Sequence, residues 1–108
     1  MSLDLPPALS RYFALANGDP GVRADDCFTA DAIVHDERQD HQSTAAISTW
    51  IAKARAAYQH QVQPLSVDVK DGRHVVTSRV RGNFPGSPVV LTHAFVLADD
   101  RIVALEIV

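Results

Sequence analysis

Apolar positions fall in two rhythms along the chain, helical up to Tyr58 and alternating after Gln59. Leu5, Leu9, Tyr12, Phe13 and Ala16 follow the i, i+4, i+7, i+8, i+11 spacing of one helix face, which predicts a helix from Asp4 to Asn17. Asp4 is its expected cap, Pro6-Pro7 suit a first turn, and Asn17-Gly18 ends it. Asp19-Pro20 reads as a second start, with a short helix to about Cys27. Ala32 to Asp36 is a short strand, with Val34 and Asp36 on one face and Ile33 and His35 on the other. A polar loop, Glu37 to Gln42, leads to a third helix capped by Ser43 or Thr44 and running to about Tyr58. Ile47, Trp50, Ile51, Ala54 and Tyr58 form its apolar stripe, while Ser48, Thr49, Lys53 and Arg55 face water. Trp50 is central on that stripe, so its truncation is expected to cost about 3–5 kcal/mol.

Beyond Gln59 the period becomes two. Val62 to Val69 alternates, Asp71-Gly72 marks a hairpin turn, and His74 to Phe84 returns. A turn at Pro85 to Pro88 precedes Val89 to Ala98; Asp99-Asp100 turns the chain into Ile102 to Val108. Helices segregated from an antiparallel meander make an α+β fold, with the sheet curled around the three N-terminal helices like a cone. Residues 1–108 read as a single domain.

The last two strands change the picture. Val89 to Leu97 and Ile102 to Val108 are apolar on both faces, whereas an antiparallel strand with a solvated face alternates. The chain has no spare element for the outer face, so a homodimer through that face is expected. Composition narrows the partners further. Net charge is −3 with no basic run, which argues against nucleic acid. No apolar run approaches the ~20 residues of a membrane helix, and the N-terminus lacks a leader pattern, so a cytoplasmic location and no membrane partner are expected. Cys27 is the only cysteine and reads as packing.

Asp36 is the leading chemical candidate: a carboxylate at the end of an apolar strand, next to a helix that can cover it. At an ordinary pKa of about 3.9 it is a weak base, so it needs a dry pocket to act as one; the plainer reading is an Asp that caps its loop. Trp50, Phe28, Tyr58 and Phe84 are core or pocket wall, and as wall they are the substrate-binding candidates. His35, Asp36, Asp40 and His41 are too loosely spaced for a metal site, so no metal is expected. Glu106 is expected to pair with Arg79 or Arg81 across the sheet.

Three stretches carry a family resemblance: Arg11-Tyr12-Phe13-Ala14-Leu15 with Asn17-Gly18-Asp19; Phe28-Thr29-Ala30-Asp31-Ala32-Ile33-Val34-His35-Asp36; and Thr44-Ala45-Ala46-Ile47 with Trp50. With the order of elements, they resemble the nuclear transport factor two-like superfamily, and within it the ketosteroid isomerases and SnoaL-like polyketide cyclases. The resemblance implies Tyr12 as an oxyanion donor and Asp36 as the proton-shuttling base. The isomerases carry a second, protonated Asp on the strand before the last turn; here that place falls at or near His93, a departure from them. His93 shares a face with Leu91, Phe95 and Leu97, but both faces of its strand are apolar and parity alone does not orient it. The implied function is a cofactor-free isomerase or cyclase acting next to a carbonyl of a small apolar ketone or polyketide-like ligand. The alternative is a non-catalytic dimeric domain of the same fold that binds a ligand or a protein.

Overall fold

The computed structural model describes residues 4–36 and 38–108; Met1 to Leu3 and Glu37, the first residue of the expected loop, lie outside the described residues. The elements run α1 (Pro7–Ala16), α2 (Ala24–Cys27), β1 (Phe28–Asp36), β2 (Gln39–Gln42), α3 (Thr44–Tyr58), β3 (Gln61–Lys70), β4 (Arg73–Arg81), β5 (Val89–Ala98) and β6 (Arg101–Ile107). The strands form one six-stranded sheet in the order β2-β1-β6-β5-β4-β3. The class is α+β, as the pattern predicts. The last four strands pair antiparallel, but β1 runs parallel to β6, so the sheet is mixed. A chain that lays its first strand beside its last after an intervening helix has no hairpin to force the antiparallel sense.

The hairpin turns rest on left-handed residues. Asp71 and Gly72 both have positive φ (53° and 75°), as do Asp99 and Asp100 (49° and 64°), which matches the twist of two-residue turns. Other expected boundaries move for local reasons. α1 starts at Pro7 with Pro6 as N-cap and no side-chain cap, so Asp4 does not cap it. Asp19 Oδ1 instead accepts from the Gly21 amide at 2.8 Å, so Asp19-Pro20 makes a turn and α2 is only Ala24–Cys27. That short helix begins where Asp26 Oδ2 accepts from the Arg23 amide at 2.9 Å. Ser43 caps α3 as expected, its hydroxyl accepting from the Ala46 amide at 3.3 Å. β1 begins four residues earlier than expected, at Phe28, and the expected loop contains β2, whose Gln39↔Asp36 and Asp40↔His35 pairings make it an edge hairpin.

The core lies between the concave face and the helices: Leu9, Phe13, Phe28, Val34, Ile47, Val76, Phe95, Ile102 and Leu105 are buried. Arg55, expected in water, is half-buried; its guanidinium donates to the Ala16 carbonyl at 2.8 Å and the His60 carbonyl at 3.1 Å, tying the ends of α1 and α3 together. Glu106 does not reach Arg79 or Arg81, because β5 lies between β6 and β4. It faces outward, opposite Ala94 on one side and His35 on the other.

Candidate functional site

The open end of the cone holds a cavity of about 410 Å³, within the range of small-molecule sites. Tyr12 from α1, Asp36 from the end of β1, Trp50 from α3 and His93 from β5 all border it. Four different elements thus deliver the polar groups of one site.

Each arrives by its own local rule. Tyr12 is inward because it shares the α1 stripe with Leu9, Phe13 and Ala16, all buried. Asp36 shares strand parity with Ala32 and Val34, both fully buried, while Ile33 and His35 point outward. The register of β4 and β5 settles what parity left open for His93: it pairs with Val76, which is fully buried, so both face the concave side.

Trp50 Nε1–H donates to Asp36 Oδ2 at 3.2 Å. The indole in turn stacks on the His41 ring, with centroids 5.4 Å apart and planes 24° apart. Asp36 is therefore oriented by a side chain that β2 holds in place. Trp50 is half-buried, a wall rather than the plug its stripe position suggested. His35 Nδ1 lies 2.6 Å from Asp40 Oδ1 on the outer side of the same hairpin, and that hydrogen bond raises the His35 pKa against a smaller opposing desolvation. Among the described residues, no group of three His, Cys, Asp or Glu side chains is placed to hold a metal ion.

Tyr12 is 3% exposed and ringed by Phe13, Phe28, Phe95 and His93 at centroid distances of 5.2 to 6.1 Å. Burial, then the Asp36 and Cys27 charges, push its pKa far above the ordinary value, so it stays a neutral O–H donor. His93 is 2% exposed, and burial pushes its pKa down to about 4. At neutral pH it is an uncharged imidazole with one N–H to donate. Its Nδ1 is buried without a hydrogen-bond partner among the described residues, which leaves Nε2 as the nitrogen available to the cavity. One carboxylate and two neutral donors in an apolar setting can move a proton and stabilise the oxyanion that results.

The other expected wall residues divide. Tyr58 and Phe84 border the cavity and meet edge to face at 5.8 Å; Tyr58 is 40% exposed, which makes this pair part of the mouth. Phe28 is not on the wall. It is 1% exposed and packs behind Tyr12 at 6.0 Å, because β1 starts with it pointing into the core. Cys27 is packing, as expected: it is fully buried, its pKa is raised to about 11 chiefly by burial, and its thiol lies 3.6 Å from the Arg23 carbonyl. The sequence reading missed His60, a wall residue whose pKa burial lowers. It follows Gln59, a left-handed helix stop that no glycine or asparagine announces.

The curved sheet, the three helices and a cavity at the open end define a protein of the nuclear transport factor two-like, ketosteroid isomerase-like architecture. The chain belongs to the SnoaL-like domain family, whose model matches residues 9–105. It is 37% identical to a candidate polyketide cyclase from Sinorhizobium meliloti, over 97% of this chain and 96% of that one, with a TM-score of 0.89. Two more distant structures share the fold. One is a hypothetical protein with a ketosteroid isomerase-like fold from Catenulispora acidiphila in complex with trimethylamine, at 15% identity, 95% and 85% coverage and a TM-score of 0.79. The other is a candidate SnoaL-like polyketide cyclase from Jannaschia sp. CCS1, at 18% identity, 99% and 90% coverage and a TM-score of 0.74. No functionally curated protein matches the sequence. No described helix is long and apolar enough to cross a membrane.

Proposed function

We propose that the cavity is an acid–base site that moves a proton next to the carbonyl of a small apolar ketone or polyketide-like compound. The observation that carries this reading is the convergence of Tyr12, Asp36 and His93 on one cavity. The relationship to a candidate polyketide cyclase at 37% identity supports the same reaction class.

In this scheme the Asp36 carboxylate takes a proton from the carbon beside the carbonyl. The C–H electron pair moves into the new C=C bond, and the C=O pair moves onto oxygen. Tyr12 O–H and His93 N–H donate to that oxyanion, and both are uncharged donors at pH 7. Where the ketone carries a β,γ double bond the oxyanion is a dienolate; protonated Asp36 then returns the proton to its γ-carbon as the C=O re-forms and the double bond moves to the α,β position, which is isomerisation. In a cyclase the enolate carbon first attacks a second carbonyl of the same chain, and the proton goes to the new alkoxide. Trp50 keeps the carboxylate aimed while its ring covers the site. These steps use side chains of this chain alone.

The test is proton–deuterium exchange at the α-carbon of apolar ketones and 1,3-diketones in heavy water, followed by NMR. Wild-type protein is expected to accelerate exchange, and Asp36→Asn, which keeps shape and removes the base, to lose a factor of about 10² to 10⁴. Equal exchange by wild type and Asp36→Asn would overturn the assignment of Asp36. Ketones that bind the cavity without any exchange would replace the enzyme reading with that of a ligand-binding domain.

A further inference from the structure

Three buried polar atoms lack a hydrogen-bond partner among the described residues: His74 Nδ1, Ser78 Oγ and His93 Nδ1. They are neighbours. The β4–β5 register sets Val76 opposite His93 and Ser78 opposite Leu91, so His74 and Ser78 are the two diagonal neighbours of His93 on the concave face. The side toward His74 is taken by Phe95, whose ring stacks on the imidazole with centroids 6.1 Å apart and planes 13° apart; Phe95 is also the register partner of His74. Ser78 lies on the other side, next to Leu91, where the cavity wall begins.

Ser78 is fully buried and His93 nearly so. Buried polar groups are satisfied by protein or by ordered water. Diagonal neighbours in a sheet sit roughly 7–8 Å apart, which leaves room for one water between short polar tips, and such waters bridge groups that are otherwise unsatisfied. Counting hydrogens then selects the tautomer. If Nδ1 accepts, the serine hydroxyl donates to the water, the water donates to Nδ1, and one water hydrogen is left over. If Nδ1 carries a proton, two hydrogens are left without an acceptor, whichever way the hydroxyl turns. A buried donor without an acceptor is the costlier orphan.

We propose that Ser78 is a positioning residue for His93: through one buried water its hydroxyl satisfies Nδ1, fixes the tautomer with the proton on Nε2, and turns that N–H toward the cavity. This gains its functional meaning from the reading of His93 as an oxyanion donor, but its test does not depend on turnover.

The experiment is long-range proton–nitrogen NMR on ¹⁵N-histidine-labelled full-length protein at pH 7, wild type and Ser78→Ala. Wild-type His93 is expected as the neutral Nε2–H tautomer, with Nδ1 unprotonated and hydrogen-bonded. Ser78→Ala is expected to shift the Nδ1 resonance and to mix the two tautomers. A wild-type His93 protonated on Nδ1 would overturn the proposal without any variant being made. So would Ser78→Ala giving an unchanged His93 spectrum. Absence of ketone exchange alongside the expected spectra would instead count against the proposed reaction and leave the Ser78–His93 link standing.

Discussion

Lowering the pH should unfold this protein partly through one imidazole. His93 is 2% exposed, and burial holds its pKa near 4 against an ordinary 6.5. The folded value lies below the unfolded one, so between these limits the unfolded chain binds the proton and the folded chain does not. Stability from this group is full above about pH 6.5, falls as the pH drops, and levels off below about pH 4. At ~1.36 kcal/mol per pH unit, that gap sets a ceiling of about 3 kcal/mol, since a ring bordering an open cavity is less dry than one in a closed core. A domain of ordinary stability, about 5–15 kcal/mol, registers such a loss clearly. His60, also lowered by burial, acts in the same sense. His35 acts oppositely, since its raised pKa gives stability that is present at low pH and lost as pH rises through the folded value; on an exposed ring this is a small correction. The assay is urea unfolding at pH 7, 5.5 and 4 for wild type and His93→Gln, which does not titrate. The variant should lose about 2–3 kcal/mol less than wild type across that range. Equal losses, or a His93 that titrates near 6.5 in the folded protein, would refute the reasoning.

Trp50→Phe keeps an aromatic wall but removes the indole N–H that reaches Asp36, and should cost about 1.5–3 kcal/mol in a denaturant melt, the worth of a hydrogen bond to a charged group. Trp50→Ala should fall below the 3–5 kcal/mol expected of a core aromatic, because the side chain is half-buried against a cavity. The outer face of the sheet, with Val75, Thr77, Val90, Thr92, Ala94, Val96 and Ala104 on adjacent strands, is the proposed dimer surface. Sedimentation at micromolar concentration should give a dimer, and Val90→Lys with Ala94→Lys should shift it to monomer; a wild-type monomer would remove the proposal.

Most elements were legible because each carries a local signal: an apolar stripe for α1 and α3, with the Ser43 cap on α3, and an alternation or a turn dipeptide for β3 to β6. What escaped has no such signal. β2 is Gln39-Asp40-His41-Gln42, without one apolar side chain, and it exists as a strand only because β1 offers it an edge. Arg55 sits on the polar side of its helical wheel, yet its guanidinium ends on the Ala16 carbonyl, a partner 39 residues away. Phe28 was a fair candidate for the wall, since aromatic spacing does not distinguish a ring that faces a cavity from one that stands behind it.

The site follows the same division. Tyr12 and Asp36 could be aimed by period alone, 3.6 on a helix and two on a strand. His93 could not, because its strand is apolar on both faces, and the fact that orients it is a pairing with Val76 on another strand. The same holds for the space between them. Ala16 on α1 and Ala54 on α3 both border the cavity, at stripe positions where a larger residue would reach into it. In the sequence these alanines read as ordinary members of two buried faces. Only when α1 and α3 are laid against the concave sheet do these two small side chains border one gap that Tyr12, Asp36 and His93 also line. A hydrophobic pattern records which residues turn inward; whether the inward side is filled depends on side-chain volumes from elements that meet only in the fold.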